Sequence, residues 1–166
     1  MKSIPLFLSL LSLTTFAADK ERSLEKYVEV PASRAEVWRA WTTSEGLASF
    51  FAEDNKVELT PGGAYEMYFL AESEKERGSE GCTVLAFSPN EMFSFSWNAP
   101  MKWPEVRRQY TRVVLTFKDL GEGRTGLHFS QTGWGTGKAW DEVYAYFESA
   151  WDTVLGRLVK RFSAKQ

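Results

Sequence analysis

The sequence contains one cysteine and one histidine, and this scarcity excludes several kinds of site. A single cysteine cannot form an intramolecular disulfide, and one Cys with one His cannot supply a conventional zinc site. An excess of charge of one sign is also lacking, because 20 basic and 22 acidic side chains give a formal net charge of −2. Domains that bind nucleic acid usually carry a clustered basic excess, so we do not expect a nucleic-acid partner.

A long apolar stretch occurs at the N-terminus, where the sequence has the three parts of a secretory signal. Lys2 supplies a positive charge, residues 4–13 carry no charge, and small residues follow at the spacing that signal peptidase prefers. The stretch is shorter than the roughly 20 residues that span a bilayer. We therefore predict a signal peptide over residues 1–18, an exported (periplasmic or secreted) protein without a stable membrane span after cleavage, and one domain over residues 19–166. An uncleaved N-terminal anchor is the alternative.

Aromatic residues are abundant, with 7 Trp, 6 Tyr and 12 Phe among 166 residues. A chain of this length can bury a core without disulfides or metals. So many rings predict a large apolar interior, which could be packed solid or could enclose a cavity. The lone Cys82 is expected to be reduced and buried in a strand.

Hydrophobic periodicity predicts an α+β domain in which a strand is followed by two short helices, about six strands and one long helix. Ser33 and Glu36 have the spacing of a capping box at the start of the first helix. The Pro61-Gly62-Gly63 segment predicts a hairpin turn. Apolar residues from Trp140 to Phe162 recur at intervals of three and four, which is typical of a helix that covers one face of an antiparallel sheet. Alternating segments predict strands at 27–30, 82–87, 92–97, 111–119 and 126–132, whereas residues 98–108 are expected to form a loop.

The glycine-rich segment 133–138 is partly similar to a phosphate-binding loop. The pattern requires a glycine at the position of Thr132 and a Ser or Thr at that of Ala139, so the tight turn and the magnesium-binding hydroxyl are both missing. We expect instead a flexible loop that holds Trp134 at the rim of a cavity.

Two titratable residues also have ordinary structural interpretations. His128 alternates with Leu127 and Phe129 and should therefore face solvent rather than act in catalysis. Glu66 could form a carboxylate pair with Glu58, but its alternation with Tyr65 and Met67 favours a position toward solvent.

Several segments carry a family resemblance that extends over residues 24–163. The chain resembles the SRPBCC (START-like) superfamily, and within it the branch related to the C-terminal domain of the Hsp90 ATPase activator. The matching segments are residues 30–33 leading into 37–41, 61–63, 95–98, 111–117, 123–125, 131–134 and 140–158. The resemblance implies a helix-grip fold, in which a curved antiparallel sheet of about six strands wraps around a long C-terminal helix and two short helices follow the first strand.

The resemblance further implies an apolar cavity between the sheet and the helix. The residues expected to bind a ligand are Phe93, Phe95, Trp97, Leu115 and Phe117 on the strands, Trp140, Tyr144, Phe147 and Trp151 on the helix, and Trp41, Phe51 and Trp103 at the mouth. Among these, Trp97, Trp103 and Tyr144 carry the polar atoms that could orient a mostly apolar ligand. No catalytic residue, metal ligand or cofactor is predicted.

The leading functional hypothesis is an exported protein that binds a small hydrophobic or aromatic ligand. One alternative is an enzyme resembling the cyclases and hydrolases of the same superfamily, which requires an acid or base facing the cavity. Another is a protein-binding or chaperone-assisting domain with an exposed apolar patch near Trp103 and Trp134. The Hsp90 activator is a cytosolic co-chaperone, and a secretion signal disagrees with that location.

Overall fold

The computed structural model describes residues 21–70, 73 and 77–164, so the predicted signal peptide lies outside the described residues. The elements in chain order are β1 (Leu24–Val30), α1 (Arg34–Thr42), α2 (Ser44–Ala48), β2 (Asp54–Val57), β3 (Tyr65–Tyr68), β4 (Val84–Ser88), β5 (Met92–Trp97), α3 (Pro104–Arg107), β6 (Thr111–Gly121), β7 (Arg124–Thr132) and α4 (Lys138–Ser163). This order confirms the expected α+β class and the position of the long helix. Over this part of the chain, no helix is both long and apolar enough to cross a membrane.

The strands form two antiparallel units rather than one sheet of about six strands. Five strands pair in the order β1-β7-β6-β5-β4, and β2 pairs with β3 in a separate ribbon. The ribbon meets the larger sheet through isolated bridges, one of which joins Ala64 to Thr83. The register of β4 shifts between Val84 and Ala86, and such a bulge bends a strand and interrupts regular pairing. This bulge lies in the pairing of β4 with β5, whereas the ribbon lies beside the segment that precedes β4.

Alternation determines which side chains of the central strands face the interior. Val113, Leu115 and Phe117 are buried along β6, and Leu127 and Phe129 are buried along β7. The intervening residues are more exposed because successive side chains of a strand point to opposite faces. Two helices cover this apolar face, as an antiparallel sheet requires: α4 lies over β1 and packs Trp151 against Phe129, and α1 packs Trp38 against Phe117.

The first helix begins at the predicted capping box. The Ser33 backbone N–H donates to Glu36 Oε2 over 3.0 Å, and the Glu36 backbone N–H donates to Ser33 Oγ over 3.4 Å. Together the two bonds satisfy groups that helix geometry leaves without partners. The start of α1 fixes the direction in which Trp38 and Trp41 enter the core.

Rings from α1 and β3 fill one half of the interior. Trp38 packs 6.0 Å from Phe93 between ring centres, and Tyr65 packs 4.5 Å from Phe95. The Tyr65 hydroxyl donates to the carbonyl of Trp41 over 2.9 Å, and complete burial raises the pKa of this phenol. This half of the domain is therefore a solid aromatic core.

The structure corrects two boundaries expected from the sequence. Cys82 is a buried free thiol, as expected, but it precedes β4, which begins at Val84. Burial in an apolar setting raises the pKa of the Cys82 thiol to about 12. The segment expected to be a loop contains the short helix α3, because Pro104 occupies its first turn, where a missing N–H costs nothing.

The glycine-rich segment before α4 is shaped by a tryptophan. A Cβ at Gly135 would lie 2.2 Å from Trp140 Nε1, so the ring packs where a larger residue would collide. Gly137 has a φ of 98°, which side chains disfavour. Trp134 packs against Tyr144 with 4.9 Å between ring centres. Trp134 is not among the residues that line the cavity described below, but its ring also lies 6.1 Å from that of Phe147, which does line it.

Candidate ligand-binding cavity

A cavity of about 660 Å³ lies between the end of β5, the middle of α4 and two loops. Trp97 ends β5, and residues 98–102 continue the wall beyond it. Residues 77–79 and Phe51, which follows α2, complete the wall on the other sides. The cavity thus forms where the strand ends and the helix moves away from the sheet.

Four of the twelve residues expected to bind a ligand lie in this wall: Phe51, Trp97, Phe147 and Trp151. Their rings form one continuous surface. The Trp97 ring centre lies 5.4 Å from that of Trp151 and 5.6 Å from that of Phe51, and Phe147 lies 6.2 Å from Trp151. All four side chains are buried, so the wall is rigid and apolar.

Helical spacing brings the α4 side of the wall together. Phe147, Ala150, Trp151 and Val154 stand at relative positions 0, 3, 4 and 7, and such residues share one helix face. Ala150 is the smallest side chain of this face, and it is half-buried. The cavity exists partly because Ala150 leaves unfilled space between larger neighbours.

The two buried polar side chains of the wall are engaged within the protein. Ser79 Oγ accepts the backbone N–H of Met67 over 2.7 Å. Asn98 Nδ2 donates to the carbonyl of Glu80 over 2.9 Å, and Asn98 Oδ1 accepts from Arg107 over 3.2 Å. These bonds hold the two wall segments in place and satisfy groups that burial would otherwise penalise.

Glu80 ties those segments together from behind the wall. Its carboxylate accepts backbone N–H groups of Arg77 and Gly78 and pairs with Arg107 Nη2 at 2.8 Å. Burial raises the pKa of Glu80, but the backbone N–H groups of Arg77, Glu80 and Gly78 and the Arg107 cation outweigh that effect. The net result is a lowered pKa, so the charged form is favoured.

Gln131 fixes the inner rings of the wall from the sheet. Its Oε1 accepts the indole N–H of Trp151 over 2.7 Å, and its Nε2 donates to Thr111 Oγ1 over 2.8 Å. The Thr111 hydroxyl in turn donates to the carbonyl of Trp97 over 3.0 Å. One buried chain of hydrogen bonds therefore orients the Trp151 ring and holds the backbone of Trp97.

The mouth of the cavity is apolar and exposed. Four large apolar side chains that line it are accessible to solvent: Phe69, Leu70, Met101 and Tyr146. Phe69 also packs against Phe51, with 5.9 Å between ring centres. Exposed apolar residues gathered at one opening mark an interaction site more often than scattered ones do.

The other eight expected residues lie elsewhere. Trp41, Phe93, Phe95, Leu115 and Phe117 are packed in the solid core beneath α1. Trp103, Trp140 and Tyr144 lie outside the cavity wall. Two of the expected polar handles bind the protein itself, because Trp103 Nε1 donates to Glu142 over 2.9 Å and the Tyr144 hydroxyl donates to the carbonyl of Ser23 over 3.0 Å.

The two titratable residues considered from the sequence are also outside the cavity. His128 is half exposed on the outer face, where its Nε2 lies 3.0 Å from Glu25 Oε2, as alternation predicts. Glu66 is half-buried, accepts from the Tyr68 hydroxyl and from Gly81 N–H, and does not form the considered pair with Glu58, which binds Lys56. Burial, followed by the bond to Glu66, raises the pKa of Tyr68 to about 12.

Sequence reasoning missed most of the loop residues of the wall. Residues 77–79 lie in a polar stretch that carries no strand or helix pattern, and residues 98–102 lie in the segment expected to form a loop. The two prolines around Met101 were the available signal, since they hold this segment in a fixed conformation at the end of β5. Among the described residues, no group of three or more His, Cys, Asp or Glu side chains could hold a metal.

Comparisons with known proteins agree with this architecture. A family model for "Activator of Hsp90 ATPase homolog 1-like protein" matches residues 31–163. No curated protein sequence gives a significant match. Protein MLL2253 from Mesorhizobium loti has a similar structure, with a TM-score of 0.68 and 20% identity over 87% of this chain and 99% of that chain.

Two further solved structures are similar. The Aha1 dimer from Colwellia psychrerythraea has a TM-score of 0.66 and 16% identity, over 85% of this chain and 96% of that one. DynU16, a protein of the dynemicin biosynthetic locus, has a TM-score of 0.64 and 21% identity, over 87% of this chain and 48% of that one. These likenesses support the helix-grip fold. Because the family model matches most of its length, the chain belongs to the Activator of Hsp90 ATPase homolog 1-like family, within the SRPBCC superfamily.

Proposed function

We propose that this protein binds a small hydrophobic ligand in the cavity between β5 and α4. The observation that carries the proposal is a cavity of about 660 Å³ walled by four aromatic rings. Pockets for small molecules commonly have volumes of about 300–1,000 Å³ and mostly apolar walls with a few polar groups. SRPBCC folds often bind hydrophobic ligands, which is consistent with this wall.

The chemistry of the wall favours binding over catalysis. Its titratable side chains within the described residues are Arg77, Lys102, Tyr146 and Arg157. The described part of the wall holds no Asp, Glu or His side chain, and these are the types that most often act as general acids or bases. The wall therefore gives less support to a cyclase-like or hydrolase-like enzyme than to ligand binding.

A protein partner is the second candidate, because Phe69, Leu70, Met101 and Tyr146 are exposed at the mouth. The apolar patch expected near Trp103 and Trp134 does not favour this candidate, since Trp103 is buried. We rank the small ligand first because the aromatic wall is recessed behind the mouth, where a small molecule can bury more of its surface than a protein surface can.

Filling the cavity with a side chain tests the proposal. Ala150→Trp introduces a large ring into the wall, while Ala145→Trp places the same ring on an exposed part of the same helix. The probe is the neutral fluorophore N-phenyl-1-naphthylamine. We expect the wild type and Ala145→Trp to bind it alike, and Ala150→Trp to bind it about tenfold more weakly or worse, because the ligand volume is occupied.

Equal affinity of all three proteins would show that the probe binds somewhere else. No binding by the wild type would remove support for a small hydrophobic ligand and favour the protein partner. Thermal unfolding of both variants checks that the fold is kept, since an added ring can also strain a core.

We infer in addition that residues 1–18 direct export and are removed after Ala17 or Ala18. Intact-mass measurement of the protein in exported and cytoplasmic fractions of expressing cells tests this. A shortened chain in the exported fraction is expected, and a full-length chain confined to the cytoplasm would contradict the inference.

A further inference from the structure

The charged side chains of the described cavity wall are all basic: Arg77, Lys102 and Arg157. The chain as a whole has a formal net charge of −2, so this local charge is opposite in sign to that of the molecule. A cleft with apolar walls and charge of one sign concentrates field lines and attracts a group of the opposite sign.

The three cations differ in whether a neighbouring carboxylate already neutralises their charge. Arg77 Nη1 lies 3.0 Å from Asp54 Oδ2, and its guanidinium lies 3.9 Å from the centre of the Tyr68 ring. Lys102 is exposed, and its one contact with the described side chains is the Trp103 ring, at 4.6 Å, where a cation–π contact leaves its N–H donors free. Arg77 is therefore largely neutralised, and Lys102 is not.

Arg157 is the second cation available to a ligand. It stands on the exposed edge of α4, and within the described residues no carboxylate lies within ion-pair distance of it. The wall also continues past it through Thr153 and Val154 to the aromatic rings. One cavity thus joins a recessed apolar wall to two cations that are exposed to solvent.

We propose that the ligand is a small amphipathic anion, whose apolar body lies against the aromatic wall and whose single anionic group binds one of the two exposed cations, Lys102 or Arg157. This inference rests on the proposed function. Rings of Trp97 and Trp151 accept the apolar part, and the internally bonded Ser79 and Asn98 leave orientation to the charged end. Charge-assisted hydrogen bonds of a guanidinium or ammonium group to an anion are stronger than neutral ones.

Two probes with one skeleton test the head group. 8-Anilinonaphthalene-1-sulfonate is anionic, and N-phenyl-1-naphthylamine is its neutral counterpart. Dissociation constants of both are measured for the wild type, for the double variant Lys102→Gln/Arg157→Gln, and for the control Lys118→Gln, which removes an exposed cation from the outer face of β6. The quantity compared is the ratio of the anionic constant to the neutral one, which cancels effects common to both probes.

We expect the ratio to rise by roughly three- to tenfold in the double variant and to stay unchanged in the control, since exposed ion pairs contribute modestly. In the wild type, raising the salt concentration from about 0.05 M to about 0.5 M should weaken the anionic probe alone, because screening acts on charge. An unchanged ratio and equal salt responses, with both probes bound, would overturn the anionic ligand and leave the cavity function intact. Failure of both probes to bind the wild type would overturn the proposed function itself.

Discussion

Gln131 has the widest structural role of any single residue around the cavity. The oxygen and nitrogen of its side-chain amide bind Trp151 and Thr111, respectively. Its backbone carbonyl accepts the indole N–H of Trp134 over 2.8 Å. The side chain is fully buried, so water cannot replace a lost partner. The interior tolerates this buried amide because both its oxygen and its nitrogen are hydrogen-bonded. The same bonds orient the Trp151 ring and connect β7 to β6.

Gln131→Met should destabilise the protein by about 1–3 kcal/mol, because the buried indole N–H of Trp151 loses its acceptor. Urea unfolding measures the change. The matched control is the neighbouring Ser130→Ala, whose hydroxyl bonds an exposed Glu25 carboxylate and whose removal should cost at most about 0.5 kcal/mol. Equal stability of Gln131→Met and the wild type would mean that Trp151 is positioned by packing alone.

Residue patterns predicted orientation better than they predicted the cavity. Alternation correctly turned Phe93 and Phe95 inward and His128 outward, because strand geometry fixes the face of each side chain. Alternation does not predict that Trp41 covers Phe95. Nor does it predict that Trp97, two positions further on, borders the cavity. That difference depends on where α1 lies along the sheet, which is a tertiary property.

Among the elements, the segments that flank the cavity depend on an ion pair rather than on a strand. Glu80 and Arg107 connect residues 77–79 with Asn98 and the end of α3. Arg107 also donates to the carbonyl of Ala99 over 2.8 Å. By donating to Asn98, Ala99 and Glu80, its guanidinium holds the loop after β5 against the loop before β4.

Glu80→Gln should lower stability by about 1 kcal/mol at pH 7, because a partly exposed pair and charge-assisted bonds are weakened. The sign of the pH dependence follows from the lowered pKa of Glu80. A carboxyl group with a lower pKa in the folded state stabilises above its unfolded value, near 4.5, and this contribution is lost as the pH falls through the folded value. The difference between variant and wild type should therefore be largest above about pH 5.

Urea unfolding at several pH values measures this difference, which should narrow toward pH 3. The control Glu91→Gln alters an exposed carboxylate that accepts from Ser88 at a turn. A gap between Glu80→Gln and the wild type that stays constant from pH 3 to pH 7 would contradict a role for the charged carboxylate.

Element order was predicted well because each long element carries its own periodic signal. The capping box and the apolar stripe from Trp140 to Phe162 define two helices from local sequence alone. Neither the division into a five-stranded sheet and a two-stranded ribbon nor the bulge at Val84 and Ala86 was predicted, since both depend on how the strands pair. A bulge shifts register by one residue and leaves little trace in the alternation of a short strand.

At the scale of the whole molecule, the two halves of the interior have different roles. Beneath α1, Trp38, Trp41 and Tyr65 fill the space above the sheet and supply a solid core. Between β5 and α4 the rings line a cavity instead. The high aromatic content therefore serves stability in one half, and we propose that it serves binding in the other.

The most direct measurement is a two-dimensional NMR titration of ¹⁵N-labelled protein with N-phenyl-1-naphthylamine, followed at the seven tryptophan indole N–H signals. We expect the signals of Trp97 and Trp151, in the cavity wall, to shift until the protein is saturated with the probe. Those of Trp38 and Trp41, in the solid core, should stay in place. Shifts confined to the other tryptophans, or equal small shifts at all seven, would contradict binding in the cavity.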